Sequence, residues 1–237
     1  MIVLSVNINK IATLRNSRGG DVPNLIKVAK DCERFGAQGI TVHPRPDERH
    51  IRYQDVRDLN PVLSTEFNIE GYPGDGFIEL VKENKPAQVT LVPDGPEAIT
   101  SNAGWDVKNN FKLLSEVIKE FQNEGIRVSI FVDPTLEQIE WVKKAGADRV
   151  ELYTEQFAHE FSKGNLDSIL PYKEAAVFAK DIDLGVNAGH DLSLENIEFF
   201  KQNIPHLAEV SIGHALISES LYLGLQNVVN MYLHRLQ

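Results

Sequence analysis

Gly39-Ile40-Thr41-Val42-His43-Pro44-Arg45-Pro46-Asp47-Glu48-Arg49-His50 is the stretch from which the rest of the chain is read. Its first four residues are rich in β-branched side chains and read as a short buried strand. Apolarity then stops, and His43, Arg45, Arg49 and His50 follow in a segment broken by Pro44 and Pro46. A rigid strand ending in imidazoles and guanidiniums suits holding an anion and moving protons. Taken alone, the same residues read equally well as a strand cap beside solvated arginines.

Working outward, strand-like runs occupy residues 2–8, 39–42, 66–69, 88–92, 127–132, 149–152, 183–186 and 209–212. Amphipathic segments lie between them, from Val22 to before Gly36, then over 55–63, 77–83, 107–123, 136–145, 166–180 and 194–202, with a last one over 215–236. Several stop at glycine, as helix C-caps do. The strand runs are short and mostly apolar, as expected where both faces are buried. Alternating strands and helices imply a parallel sheet, and eight such units in 237 residues imply one α/β domain, a (β/α)8 TIM barrel over 1–237. A doubly wound open sheet often carries a glycine-rich turn after its first strand, and Asn7-Ile8-Asn9-Lys10 is not one. Residues 162–165 read as a polar turn or mobile loop.

Composition narrows the function. A net charge of −10 argues against non-specific nucleic-acid binding, yet leaves room for phosphorylated small molecules held by a few local donors. No run approaches the ~18 apolar residues of a membrane span. The N-terminal residues read as a first strand, not a signal peptide, so a cytoplasmic location is expected. Cys32, the single cysteine, falls on the apolar side of a helical pattern and reads as buried and inert.

In a barrel of this kind, chemistry gathers where strands end. Those ends carry Asn7, Asn9 and Lys10, then Arg15 and Arg18; His43, Arg45 and His50; Glu70; Asp94 and Thr100; Asp133; Glu151 and Thr154; Asn187, Gly189, His190 and Asp191; and Ser211, Gly213 and His214. Two histidines and two glutamates converging on one mouth are better explained by a shared acid–base site than by helix caps. The two glycine-bearing turns, 187–191 and 211–215, fall where barrels often bind phosphate. Arg18 and Arg45 are candidates for a second phosphate. No metal-ligand spacing stands out. Lys10 is the only lysine near a strand end, which makes a Schiff-base lysine a thin reading.

Asn7-Ile8-Asn9-Lys10-Ile11-Ala12-Thr13-Leu14-Arg15-Asn16, Gly39 to Arg45, Arg49-His50-Ile51, Asn68-Ile69-Glu70, Val186 to His190 and Ile212 to Ala215 together resemble the pyridoxine 5′-phosphate synthase family. The resemblance runs from the first strand to the last helix. It implies condensation of 1-deoxy-D-xylulose 5-phosphate with 3-amino-2-oxopropyl phosphate to pyridoxine 5′-phosphate, phosphate and water. No metal or organic cofactor is implied, because the substrate amine makes the imine. By position, His43 and Glu70 would accept protons, His190 would donate one, and Glu151 would stabilise charge. Asn7, Asn9, Lys10, Arg18, Arg45, His50 and Thr100 would bind the pentulose phosphate, and Asp191, Gly213 and His214 the aminoketone phosphate. The implied assembly is a homo-octamer built from dimers.

Three departures accompany the resemblance. Asn9-Lys10 stands where the family often has Asp-His, a change that suits binding better than catalysis. Asp191 stands where the family often has glycine, and its carboxylate must point away from a bound phosphate. The loop 94–105 differs in sequence. Two other readings are a cofactor-free sugar-phosphate isomerase or epimerase, and a non-enzymatic barrel that senses a phosphorylated ligand.

Overall fold

The computed structural model describes residues 1–94 and 103–237. Among them, β1 (Val3–Asn7), β2 (Gly39–Val42), β3 (Glu66–Gly71), β4 (Gln88–Leu91), β5 (Arg127–Val132), β6 (Arg149–Tyr153), β7 (Gly185–Gly189) and β8 (Leu207–Ile212) pair in chain order as a closed parallel barrel. Around it run α1 (Asn9–Asn16), α2 (Leu25–Arg34), α3 (Tyr53–Leu59), α4 (Asp75–Asn84), α5 (Phe111–Asn123), α6 (Leu136–Ala145), α7 (Glu155–Ser162), α8 (Leu170–Asp181), α9 (Ile197–Asn203), α10 (His214–Leu223) and α11 (Leu225–Leu236). The (β/α)8 expectation is met. Among the described residues, no helix is long and apolar enough to cross a membrane.

The strands are not apolar on both faces, and here the sequence reading is corrected. Leu4, Val6, Ile40, Val42, Phe67, Ile69, Val89, Leu91, Val128 and Ile130 are buried in the apolar core with the helices. The alternate residues face the barrel axis and are largely polar. At mid-height Ser5 Oγ lies 2.6 Å from Thr41 Oγ1, and Asn68 Nδ2 donates to Thr41 Oγ1 at 3.3 Å. Thr90 Oγ1 joins Asn68 Oδ1 at 3.2 Å and Glu151 Oε2 at 3.4 Å.

At the N-terminal end of the barrel, Arg127 pairs with Glu66 and donates to Gln88 Oε1 at 2.8 Å. Arg149 donates to Asn187 Oδ1 at 3.0 Å and to Glu209 Oε2 at 3.1 Å. Glu209 is the buried charge of this set, and pairing with Arg149 offsets its lost hydration. Asn187 belongs to this floor. It lies within β7 rather than in the turn expected to follow, because β7 begins and ends later than the 183–186 run.

Other boundaries also moved. The expected last helix over 215–236 is two helices, broken at Gly224, whose φ is +81°. A left-handed residue cannot continue a right-handed helix, and glycine takes that conformation at least cost. Helices α1 and α7 lie where no helix was expected. Of the turn or loop expected over 162–165, residues 163–165 form a short polar link, and Ser162 is the last residue of α7. Cys32 is fully buried, and burial pushes its thiol up to about 12.

Candidate active site

The polar interior opens at the C-terminal ends of the strands into a cavity of about 910 Å³. Its wall is laid down two residues at a time, since every second strand residue faces the axis. β1 brings Asn7, whose Nδ2 donates to Glu70 Oε2 at 3.3 Å and whose Oδ1 accepts from the Asn9 N–H at 3.0 Å. Asn9, the first residue of α1, accepts from the His43 N–H at 2.9 Å and so ties the first βα loop to the second.

His43 follows β2 and is only 7% exposed. Burial, with the positive charge of Arg45 and the other rings and arginine nearby, holds its imidazole well below its ordinary range. His50 lies with its ring centroid 6.3 Å from that of His43. Its Nδ1 accepts from the Ile51 N–H at 2.9 Å, which leaves any ring proton on Nε2. Burial and the charges of Arg45, Lys10 and Arg49 bring His50 down to about 4. Both rings are therefore neutral at neutral pH and can accept protons.

Glu70 ends the inward row of β3 and accepts from Ser211 Oγ at 3.4 Å as well as from Asn7. Burial pushes its carboxyl up to about 7, with Glu209 and Asp94 adding to the rise and His190 and the Ser211 bond opposing it. Glu151 on β6 is more deeply buried, and burial with the charges of Glu70 and Glu209 raises it well above the carboxylate range. Two neighbouring carboxyls thus share little negative charge at neutral pH. Glu151 reaches this position beneath Gly189, where an added β-carbon would collide with its carboxylate.

His190 follows β7. Burial pulls its ring pKa down, but the bond and charge of Asp191, with Glu70 and Asp94, outweigh burial and raise it. On the far wall, Gly213 caps α10, and His214 is that helix's first residue. A β-carbon on Gly213 would stand 3.1 Å from the Asn7 Cβ, a tight contact. Among the described residues, no group of three or more His, Cys, Asp or Glu side chains is placed to hold a metal ion.

Asn7, Asn9, Lys10, His43, Arg45, His50, Glu70, Glu151, His190, Asp191, Gly213 and His214 all line this one cavity. Asp191 remains on its wall, with its carboxylate turned onto the His190 ring. Arg18 does not line it. It is exposed beyond the end of α1, whereas Arg45 is on the wall, so this chain does not bring the two together in the cavity. Arg15, on the inner face of the same helix, is instead locked to Asp55 at 2.6 and 2.8 Å. Arg45 is buried and paired with Asp94 at 2.7 Å. Thr100 lies outside the described residues, as do the other residues of 95–102 in the loop after β4.

The sequence reading missed Phe131 and Tyr153 on the wall. Their signal was the period of two: Phe131 follows the inward Ser129, and Tyr153 follows the inward Glu151.

Fold and cavity together define a (β/α)8-barrel enzyme whose acid–base groups gather at the C-terminal mouth. Residues 4–237 match the family described as pyridoxal phosphate biosynthesis protein PdxJ, and the chain belongs to it. The pyridoxine 5′-phosphate synthase of Flavobacterium johnsoniae is 68% identical over 237 residues, covering 100% of both chains. That of Bacteroides fragilis is 63% identical over 232 residues, 98% of each chain. Among solved structures, a tryptophan synthase chain from M. tuberculosis superposes with a TM-score of 0.66 at 13% identity, covering 100% of this chain and 94% of that one. A 3-keto-L-gulonate-6-phosphate decarboxylase from Vibrio cholerae gives 0.66 at 9% identity, over 99% and 97%. At such identities the likeness concerns the fold alone.

Proposed function

We propose that the chain makes pyridoxine 5′-phosphate by joining 1-deoxy-D-xylulose 5-phosphate to 3-amino-2-oxopropyl phosphate, with release of phosphate and water. Full-length membership of the family supports the reaction. The observation that carries the mechanism is the meeting of His43, Glu70 and His190 on one cavity wall. Imine formation, dehydration, phosphate loss and ring closure each move a proton, and the three groups divide that labour.

Neutral His43 accepts a proton. Glu70, poised near neutrality, accepts one as a carboxylate and returns it as an acid. His190, whose ring holds its proton to higher pH than an ordinary histidine, donates. Glu151, kept neutral by its surroundings, offers an O–H to negative charge that develops beside it. The substrate's own amine forms the imine, so Lys10 serves as a surface cation rather than a nucleophile.

The phosphates take two sites. The backbone N–H groups of Gly213 and His214, at the start of α10, suit one of them. Arg45, Lys10 and His50 face the other, where a phosphate competes with Asp94 for the Arg45 guanidinium. Asn7 and Asn9 supply neutral donors between the two. The protein works as a cytoplasmic homo-octamer, a tetramer of dimers. Leu221 and Tyr222 near the end of α10, 75% and 91% exposed, support burial against a partner.

The test is product formation. Chelator-treated protein is mixed with both phosphates, and pyridoxine 5′-phosphate is followed by absorbance. Product with both substrates and none with either alone is expected. Absence of product, with phosphate-ligand binding retained, overturns the reading in favour of a sensor.

A further inference from the structure

His190 and Asp191 both adopt left-handed backbone, with φ of +75° and +56°. That region favours glycine, which the family often carries at the second of these positions. The turn does not depend on the Asp191 side chain. Thr154 Oγ1 donates to the Gly189 carbonyl at 2.9 Å and lies against that of His190. The Leu192 N–H donates to the His190 carbonyl at 2.8 Å, and Asn196 Nδ2 to the Asp191 carbonyl at 3.2 Å. What the Asp191 carboxylate does contact is the ring beside it: Oδ2 lies 3.1 Å from His190 Nδ1.

Two aromatic rings complete the setting. Tyr153 meets the His190 ring edge to face, with centroids 5.2 Å apart at 88°, and Phe131 lies at 6.0 Å. These walls limit how the imidazole can turn. With Nδ1 on the carboxylate, Nε2 is the nitrogen left for the cavity.

We propose that Asp191 is a positioning residue for His190, holding the Nδ1–H so that Nε2–H is the bond that donates. The proposal rests on the reading of His190 as the proton donor. In the step, the Nε2–H proton passes to the departing oxygen. The ring becomes neutral while keeping its Nδ1–H, and Asp191 stays ionised throughout. This is the carboxylate–imidazole arrangement that fixes a tautomer and stabilises the imidazolium. His190 is also faced by Glu70 from β3, Asp94 after β4, His43 after β2 and Tyr153 from β6, while His214 of α10 faces Asp191. Glu70 and Asp94 favour the charged ring, while burial and any charge on His43 oppose it, so Asp191 modulates an existing balance.

The test uses Asp191→Asn and Asp191→Gly, since asparagine and glycine both tolerate the left-handed backbone. Ring-labelled histidine in deuterated full-length protein is titrated by NMR, with His190 assigned from its loss in His190→Gln. Both variants are expected to lower the His190 pKa by several tenths of a unit, leaving roughly two- to fivefold less protonated ring at pH above both values, as suits a partly exposed pair. The neutral ring should also lose its preference for the Nδ1–H tautomer. The alkaline limb of kcat should move down by the same interval, with KM changed less than about threefold. Identical His190 titration and tautomer in wild type and both variants overturns the proposal. The ring measurement needs no turnover. A His190 shift in a protein without synthase activity supports the contact and refutes the functional reading, and turnover with an unmoved ring refutes the contact alone.

Discussion

Glu70→Gln should make the protein more stable above neutral pH while stopping its chemistry. Glu70 is 9% exposed, and its carboxyl rises from the ordinary 4.5 to about 7 on folding. The folded state therefore binds more protons than the unfolded chain between those values. The advantage of the protonated carboxyl is complete below about 4.5 and is lost as pH rises through about 7. At 1.36 kcal/mol per pKa unit, burying this charge costs the wild type roughly 3 kcal/mol at pH 8 and under roughly 1 kcal/mol at pH 5.

Glutamine has nearly the same shape, keeps an oxygen for the Ser211 hydroxyl and carries no charge. Denaturant unfolding at matched protein concentration, at pH 5 and pH 8, reads the difference. The variant should gain roughly 2 kcal/mol over wild type between the two conditions, with kcat down by about 10²–10⁴ as befits a lost acid–base group. A gain that is the same at both pH values, or a variant less stable than wild type at pH 8, would refute this reasoning.

Arg15→Met should cost about 3–5 kcal/mol in the same unfolding assay, because it leaves the Asp55 carboxylate half-stranded between α1 and α3. Adding Asp55→Leu should recover most of that, less about 1 kcal/mol for the lost bond from the Arg52 N–H. Gly189→Ala drives a methyl into the Glu151 carboxylate and should lower stability by about 1–3 kcal/mol and turnover with it. Thr154→Val removes the hydroxyl that holds the Gly189 and His190 carbonyls; a loss of about 1–2 kcal/mol and a drop in kcat are expected.

Much of this architecture was legible in the sequence. The runs at 39–42, 127–132 and 136–145 match β2, β5 and α6 in their bounds. Each is a strong periodic segment with a clear stop, such as Gly146 after α6, whose φ is +91°. α1 was hidden because it opens on the polar pair Asn9-Lys10, and α7 because Phe157 alone of its residues is buried.

The polar barrel interior was hidden for a different reason. Glu66, Arg127, Arg149 and Glu209 look like strand-edge residues until closure brings their partners together from strands far apart in the chain. The same limit applied to the cavity. His43, Glu70, Glu151 and His190 could be placed at the mouth by counting along strands, but Arg15 and Arg18 could not be told apart. Which arginine faces inward depends on the phase and the end of a helix the sequence did not announce: Arg15 lies on its inner face and Arg18 beyond its last turn.

The central claim is that this mouth binds phosphorylated substrate and moves its protons with separate groups. It is tested most directly by calorimetric titration of 1-deoxy-D-xylulose 5-phosphate beside turnover, on the same preparations of wild type, His43→Asn and Glu70→Gln. The account predicts affinities within about threefold of wild type and turnover reduced by about 10² or more in both variants. Variants that turn over at the wild-type rate, or that lose turnover only as far as they lose binding, would contradict it.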